Sequence, residues 1–482
     1  MKPLDPIHRV AFRTLGCRIN QYDTETMRTL LEETGRFRAV SPGEAADIHV
    51  VNTCSVTAQA DASARKLIRR IGNGQPDARI VVTGCYAQRA PAEIAALPGV
   101  ALILGTPDRA GIVRELQEML ADNIRNAHPA HRAPPPRRAV SPVSTARPFP
   151  EIPISRMMNR SRAVVKIQDG CNGACSFCIV PHTRGRARGR EPDKVIDQIA
   201  RLVDNGYQEV VLAGVHLGDY GCDNDPWREA ESTAGPESSP LSRLIRRILA
   251  VPGLLRFRLS SIDPGAVSPE LIESMATETR FARHLHIPLQ SGSDAILARM
   301  NRGYTVAQFE RLLREVTDAV PDCGIGTDII CGFPGETEAL FEETVARVRE
   351  WPFSYLHPFP YSPRTGSPAE SFPGQVPVEE RKARARMLKQ LSREKNLAFR
   401  RRYLGKTMGV LIEGRESDPD RNTDENPINA SRPAKDAECV GWTDNYLRVA
   451  VRGAGIGSGP GLRVVRITGL GEEGLTGIMD SH

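Results

Sequence analysis

No stretch of this chain is apolar for long enough to cross a bilayer. The most apolar run, Pro91 to Gly105, is broken by Glu93, Pro98 and Gly99. No apolar core follows the opening Met1-Lys2-Pro3-Leu4-Asp5-Pro6, as a secretory signal would require. Cysteine is scarce, ten in 482 residues, too few for a disulfide scaffold. These absences predict a cytoplasmic protein with no membrane partner, whose cysteines are metal ligands, catalytic groups or core residues. An excess of one charge is missing too: 64 basic and 58 acidic residues leave +6, a slight pull toward a polyanion. With 40% apolar and 25% charged residues, wholesale disorder is excluded. What the chain does have is length, which at about 150 residues per domain predicts roughly three domains.

From Val10 to about Leu120, β-rich runs (Val10–Leu15, Ile48–Val51, Ile80–Val82) alternate with helical patterns closed by Gly35 and Gly72. This predicts a doubly wound α/β domain over 8–122. A proline-rich basic linker follows over 123–156; Arg125 to Lys166 holds nine Lys/Arg against Glu151 alone. Six β/α units then run from Ala163 to about Arg400, on strands expected near 163–167, 209–212, 256–260, 285–288, 326–330 and 355–358. They predict a partial (β/α)6 barrel over 157–402, with function at the C-terminal strand ends. After Leu404, short strands (408–412, 447–451, 464–468, 475–479) between Gly-rich turns predict a small OB-like β-barrel over 403–480. The overall class is α/β, with polar insertions at 219–240 and 416–436.

Cys171-Asn-Gly-Ala-Cys175-Ser-Phe-Cys178 directly follows a predicted strand. Three thiolates so spaced can wrap a 4Fe–4S cluster and leave one iron open. His182 could instead complete a zinc knuckle, and spacing alone leaves both open. The CxxxCxxC loop after a first barrel strand resembles the radical S-adenosylmethionine (SAM) superfamily. That resemblance implies SAM chelated to the open iron, with Phe177 near the adenine. It also implies SAM contacts at Gly214, at Ser260 and Ser261, and at Gly332 and Gly335 of Gly-Phe-Pro-Gly, each after a successive strand.

Cys17, Cys54 and Cys85 each stand just beyond an N-terminal strand. In an open α/β sheet that places them at one edge, a candidate second cluster site. With Thr14–Glu25, Asn52–Thr57, Gln168–Asn172, Arg258–Ile262 and Pro288–Ser293, nearly the whole chain resembles the methylthiotransferases. Leu15-Gly-Cys-Arg-Ile-Asn-Gln-Tyr22 is most similar to the MtaB type, which acts on N6-threonylcarbamoyladenosine at position 37 of tRNA. The resemblance implies two 4Fe–4S clusters (Cys171, Cys175, Cys178; Cys17, Cys54, Cys85) and SAM. It implies tRNA as partner, held by a C-terminal TRAM domain, and a flavodoxin or ferredoxin as electron donor. Other substrates of the family are N6-isopentenyladenosine and a ribosomal-protein aspartate. A metal-stabilised RNA-binding protein is the non-enzymatic alternative. A monomer is expected.

For RNA, the linker and Arg381–Lys406, with eleven Lys/Arg against Glu394, are the candidate phosphate contacts. Trp442 and Tyr446 could stack bases or fill the barrel core. His284 and His286 could line the barrel mouth or serve as core histidines. Cys222, Cys323, Cys331 and Cys439 are assigned no role; Cys323 and Cys331 read as buried.

Overall fold

The computed structural model describes residues 7–125, 135–144, 149–157, 161–222, 238–413, 439–452, 461–472 and 474–479. Most of the 219–240 insertion, the whole 416–436 insertion and parts of the linker lie outside these.

The N-terminal sheet is parallel throughout, in the order β2 (Phe37–Val40), β1 (His8–Thr14), β3 (Ile48–Thr53), β4 (Arg79–Gly84), β5 (Val100–Leu104), β6 (Arg137–Ala139). Helices cover both faces because their apolar stripes match the sheet's two sides. Met27 and Leu31 of α1 (Arg18–Glu33), with Ile112 and Leu116 of α5 (Ile112–Arg125), pack on Val10, Val50 and Val81. Ala64, Ile68 and Ile71 of α2 (Ala58–Gly74) pack on Val51, Ile80 and Val82. α2 runs two residues past Gly72, and β2, β5 and β6 join the three expected strands. β6 lies inside the proline-rich segment: an edge strand pairs on one side only and tolerates such a neighbourhood. Between β4 and β5 lie the short helices α3 (Cys85–Arg89) and α4 (Pro91–Ala95).

The barrel strands are β7 (Arg162–Asp169), β9 (Glu209–Gly214), β10 (Arg256–Leu259), β11 (His284–His286), β12 (Gly324–Cys331) and β13 (Tyr355–Pro360), with a two-residue β8 (Arg188–Gly189) hairpinned on β7. The sheets β10-β9-β7-β8 and β11-β12-β13 are joined by bridges Phe257–Phe281 and Ser261–His286, giving one parallel six-stranded arc. Ile19 and Tyr22 of α1 belong to this barrel's core, so the N-terminal domain is packed into it. Helix α6 (Val180–Arg184) follows the cysteine loop, and α7 (Pro192–Asp204), α8 (Pro240–Leu249), α9 (Pro269–Thr277), α10 (Asp294–Arg299), α11 (Val306–Ala319), α12 (Glu338–Glu350) and α13 (Val378–Arg401) connect and close the arc.

The C-terminal domain is a closed barrel of β14 (Thr407–Ile412), β15 (Cys439–Thr443), β16 (Arg448–Arg452), β18 (Leu475–Ile478) and β17 (Gly461–Leu470), in that spatial order. β15 is one strand more than the sequence pattern predicts. Among the described residues, no helix is long and apolar enough to cross a membrane.

Candidate active site

β7 ends at Asp169, and Gly170 (φ +75°) turns the chain into the cysteine loop. A Cβ there would collide with the backbone of Arg186, so the turn requires glycine. Each sulfur of the loop accepts an N–H: Cys171 from Gly173 (3.2 Å), Cys178 from Val180 (3.5 Å) and Cys175 from the Arg302 guanidinium (3.2 Å). Arg302 is held in turn by Asp263. His216 lies 3.3 Å from Asp219, whose other oxygen accepts the Asn172 N–H at 2.9 Å. Burial pushes the Cys171 thiol up to about 11 and, aided by Cys175 and Cys171, the Cys178 thiol up to about 12. Thiols in that state keep their protons until a metal displaces them.

The second triplet assembles from adjacent strands. β1, β3 and β4 are parallel neighbours, so Cys17 (N-cap of α1), Cys54 and Cys85 (first residue of α3) emerge at one sheet edge. Cys17 is at the exposed rim; Cys54 and Cys85 are buried. Burial first, then the Cys85 and Cys17 thiols, push Cys54 up to about 12. Gly16 (φ +106°) is packed on this site: a Cβ would stand 3.0 Å from Cys54 Sγ.

In neither triplet do all three sulfurs lie within 4.8 Å of one another. A single zinc ion with bonds of about 2.3 Å would draw them closer than that. Among the described residues the only groups that tight are Cys171–His216–Asp219 and His286–Asp328–His357, and His182 joins neither. The all-thiol donor sets and their wider spread suit multi-iron clusters better than zinc.

Phe177 packs edge-on against Phe333 (6.5 Å), which joins the cysteine loop to the Gly-Phe-Pro-Gly turn. Within that turn, Gly332 is packed under Arg381, and a Cβ at Gly335 would stand 2.8 Å from Arg299. Gly214 is packed against Leu217 and Gln168. Ser261 is exposed. The Ser260 hydroxyl is buried without a protein partner, as a ligand-facing group would be.

Between the triplets lies a buried ion network that the sequence reading missed. Arg184 donates to Asp169 (2.8 Å), Asn20 (2.6 Å) and Asp23 (3.1 Å). Lys166 bridges Asp23 (2.7 Å) and Asp169 (2.6 Å), and Arg109 reaches both carboxylates. Against burial, Lys166, Arg184 and Arg109 hold Asp169 well below the ordinary carboxylate range. Arg184 also lies within electrostatic reach of the Cys85 and Cys17 sulfurs, where it favours the thiolate form that a metal ligand takes. The available signal was Lys166 and Asp169 themselves, charges inside a wholly buried strand. A second hub, Asp61, receives Arg89 of the Cys85 helix (2.9 Å) and Arg364 beyond β13 (2.7 Å).

The expected RNA contacts need correction. On α13, Arg381 donates to the carbonyls of Val376 and Tyr361, Arg384 pairs with Glu336 (2.7 Å), and Arg400 donates to the carbonyls of Gly471 and Gly474. All three are buried structural cations, leaving Lys382, Arg386, Lys389, Arg393, Arg401, Arg402 and Lys406 exposed. In the linker region, Lys166 and Arg162 are likewise buried and paired, the latter with Glu413 (2.9 Å). Trp442 is buried, donates to Glu413 (3.0 Å) and stacks on Tyr446 (4.7 Å). Cys222 is exposed, and Cys323, Cys331 and Cys439 are buried.

Comparison with known proteins adds the following. Residues 9–105 match the model of an uncharacterized protein family, UPF0004, and residues 165–348 that of the radical SAM superfamily. A threonylcarbamoyladenosine tRNA methylthiotransferase MtaB of Bacillus subtilis is 39% identical over 92% of this chain and 90% of its own length. The MtaB of Thermotoga maritima is 36% identical over 84% and 86%. A tRNA-2-methylthio-N(6)-dimethylallyladenosine synthase of Desulfitobacterium hafniense is 32% identical over 86% and 89%.

Proposed function

The chain belongs to the radical SAM methylthiotransferase family, the tRNA-modifying enzymes among its relatives, and on that premise we propose that it installs a methylthio group at C2 of N6-threonylcarbamoyladenosine at tRNA position 37. One observation carries the reading: a buried ion network ties Asp169, two residues before Cys171, to Asn20 and Asp23 of the helix that Cys17 caps, so the two triplets sit on one rigid framework. The C2–H of adenine is neither acidic nor electrophilic, so acid–base or nucleophilic side chains offer no route to it.

Cys171, Cys175 and Cys178 would hold one 4Fe–4S cluster, and Cys17, Cys54 and Cys85 the other. Bound there, the clusters supply what side chains lack, an electron for homolytic cleavage of SAM and a sulfur atom for transfer. The chain's own residues position and shield. Arg302 orients Cys175, the Ser260 hydroxyl is free to meet SAM, and Phe177 with Phe333 forms an apolar wall beside the loop. The exposed cations of α13 face tRNA phosphates, and a flavodoxin or ferredoxin brings electrons.

The threonylcarbamoyl substrate is supported by relatives of that name at 39% and 36% identity; the dimethylallyl-type relative, at 32%, names the rival. Mass spectrometry of tRNA nucleosides from a deletion strain decides between them. Loss of 2-methylthio-N6-threonylcarbamoyladenosine, restored by the gene, is expected. Its retention together with loss of the isopentenyl counterpart would overturn the assignment.

A further inference from the structure

Polar side chains from all three domains meet at one junction that the cysteine triplets do not include. β12 and β13 pair Asp328 directly with His357, and β11 sets His286 beside them. Asp328 Oδ1 is 3.0 Å from His286 Nε2 and 3.3 Å from His357 Nδ1. Tyr446, on the turn between β15 and β16, takes a left-handed backbone (φ +67°) and stacks on His284 at 4.4 Å. Such a conformation is costly for a tyrosine and signals a ring held in place by its surroundings. From the N-terminal domain comes Arg18, next to Cys17, which donates to the Tyr446 hydroxyl at 2.9 Å.

A network that served folding alone would satisfy itself. This one does not. His357 Nε2 and His284 Nδ1 are buried without a partner. The Asp328 side chain keeps 26% of its surface open. Among the described residues no carboxylate pairs with Arg18. The junction therefore offers a fixed cation, unpaired imidazole nitrogens and a carboxylate, the complement of a small group that carries both an acid and hydrogen-bond donors.

Its place in the chain of contacts is informative. Arg18 adjoins Cys17. His286 bridges by backbone to Ser261, and Asp263, two residues on, holds the Arg302 that donates to Cys175. The polar junction is thus linked through short chains of contacts to the strands that carry both triplets. On adenine, C2 and C6, which carries the N6 substituent, flank N1 on one edge. An adenine presenting C2 near the triplets would carry its N6 substituent close by, within reach of a neighbouring polar junction of this kind.

We propose that Arg18, Asp328 and His357 form the pocket for the N6 substituent, with Arg18 taking a carboxylate and Asp328 a hydroxyl or N–H donor. The ligand class is an amino-acid-derived acyl group, and this rests on the tRNA adenosine reading above. A hydrocarbon substituent would cover these polar groups without replacing their water, and a site built for polar contacts rejects such an analogue strongly.

The test uses full-length reconstituted enzyme and anticodon stem-loop RNAs carrying N6-threonylcarbamoyladenosine, its carboxyl methyl ester, or N6-isopentenyladenosine. The readout is the ratio of kcat/KM for acid over ester within each protein, which does not depend on the active fraction. The wild type is expected to prefer the acid by at least about 100-fold. Arg18→Leu should bring that ratio near one, mainly by raising KM for the acid. His357→Phe, away from the cluster cysteines, should lower it by about tenfold. A wild-type ratio near one, or an Arg18→Leu ratio equal to a high wild-type value, overturns the pocket while leaving the substrate intact. A wild type that modifies only the isopentenyl RNA overturns the substrate reading and the pocket together.

Discussion

Arg184 and Asp169 form a wholly buried ion pair, Nη1 to Oδ1 at 2.8 Å, two residues before Cys171. The same guanidinium is bound to Asn20 and Asp23 of the N-terminal domain, within electrostatic reach of Cys17 and Cys85. This side chain is therefore one of the ties that set how the two cysteine triplets stand relative to each other.

Arg184→Met should destabilise the protein by about 3–5 kcal/mol, because Asp23 and Asp169 would lose a buried partner. Thermal unfolding checks this. Arg184→Lys should recover part of the loss, since it restores charge but not the fork that holds three acceptors. Equal stability of all three proteins would show that Lys166 and Arg109 suffice.

The triplets should separate genetically. Cys175→Ala should abolish 5′-deoxyadenosine formation. Cys54→Ala should leave SAM cleavage in place and abolish methylthiolation. Product analysis by chromatography with mass detection reads both. Methylthiolation by Cys54→Ala would contradict a cluster at the N-terminal sheet edge.

Anaerobic reconstitution should load about eight iron and eight sulfide per chain, four of each per cubic cluster. Chelation should lower the melting temperature, because a metal site that binds only the folded chain stabilises it. Stoichiometric zinc in place of iron would revive the zinc-knuckle reading.

Glu209 predicts an acid limit on domain docking. It is buried beneath Arg258 and Arg256, and despite the opposing cost of burial these cations hold it below the ordinary glutamate value of 4.5. A carboxyl depressed in the folded state contributes stability that is complete above its unfolded value and lost as pH falls through the folded one. Stability should therefore decline below about pH 4.5 and more shallowly in Glu209→Gln, whose pH 7 stability is already lower by about 3 kcal/mol. Parallel pH–melting curves for the two proteins would count against it.

The positions of Cys17, Cys54, Cys85 and Cys171 were legible in the sequence because each stands just beyond a strand, and strand ends are the part of an α/β pattern that periodicity locates best. The short edge strands Phe37–Val40 and Arg137–Ala139 were not, since half-exposed or proline-flanked segments lack a period. The basic run on α13 misled in a specific way. A run of arginines reads as solvated, and only the distant Glu336 and the carbonyls of Gly471 and Gly474 reveal that Arg384 and Arg400 face inward. Asp23 was likewise opaque, because its partners Lys166 and Arg184 are more than a hundred residues away.

β10 grips the C-terminal barrel in an unequal way. Arg256 donates to the carbonyls of Trp442 and Gly409, and Arg258 to those of Thr443 and Asp444. In these four bonds the C-terminal domain contributes only main chain, which nearly any residue supplies. Side-chain ties add to them, from Arg283 to the Asp444 carboxylate and from Arg162 to Glu413, yet the carbonyls alone give the two arginines four anchors. The joint thus recognises the main-chain shape of β14 and β15 through two fixed arginines, and replacing either would strand carbonyls that no side-chain change in the C-terminal domain could satisfy.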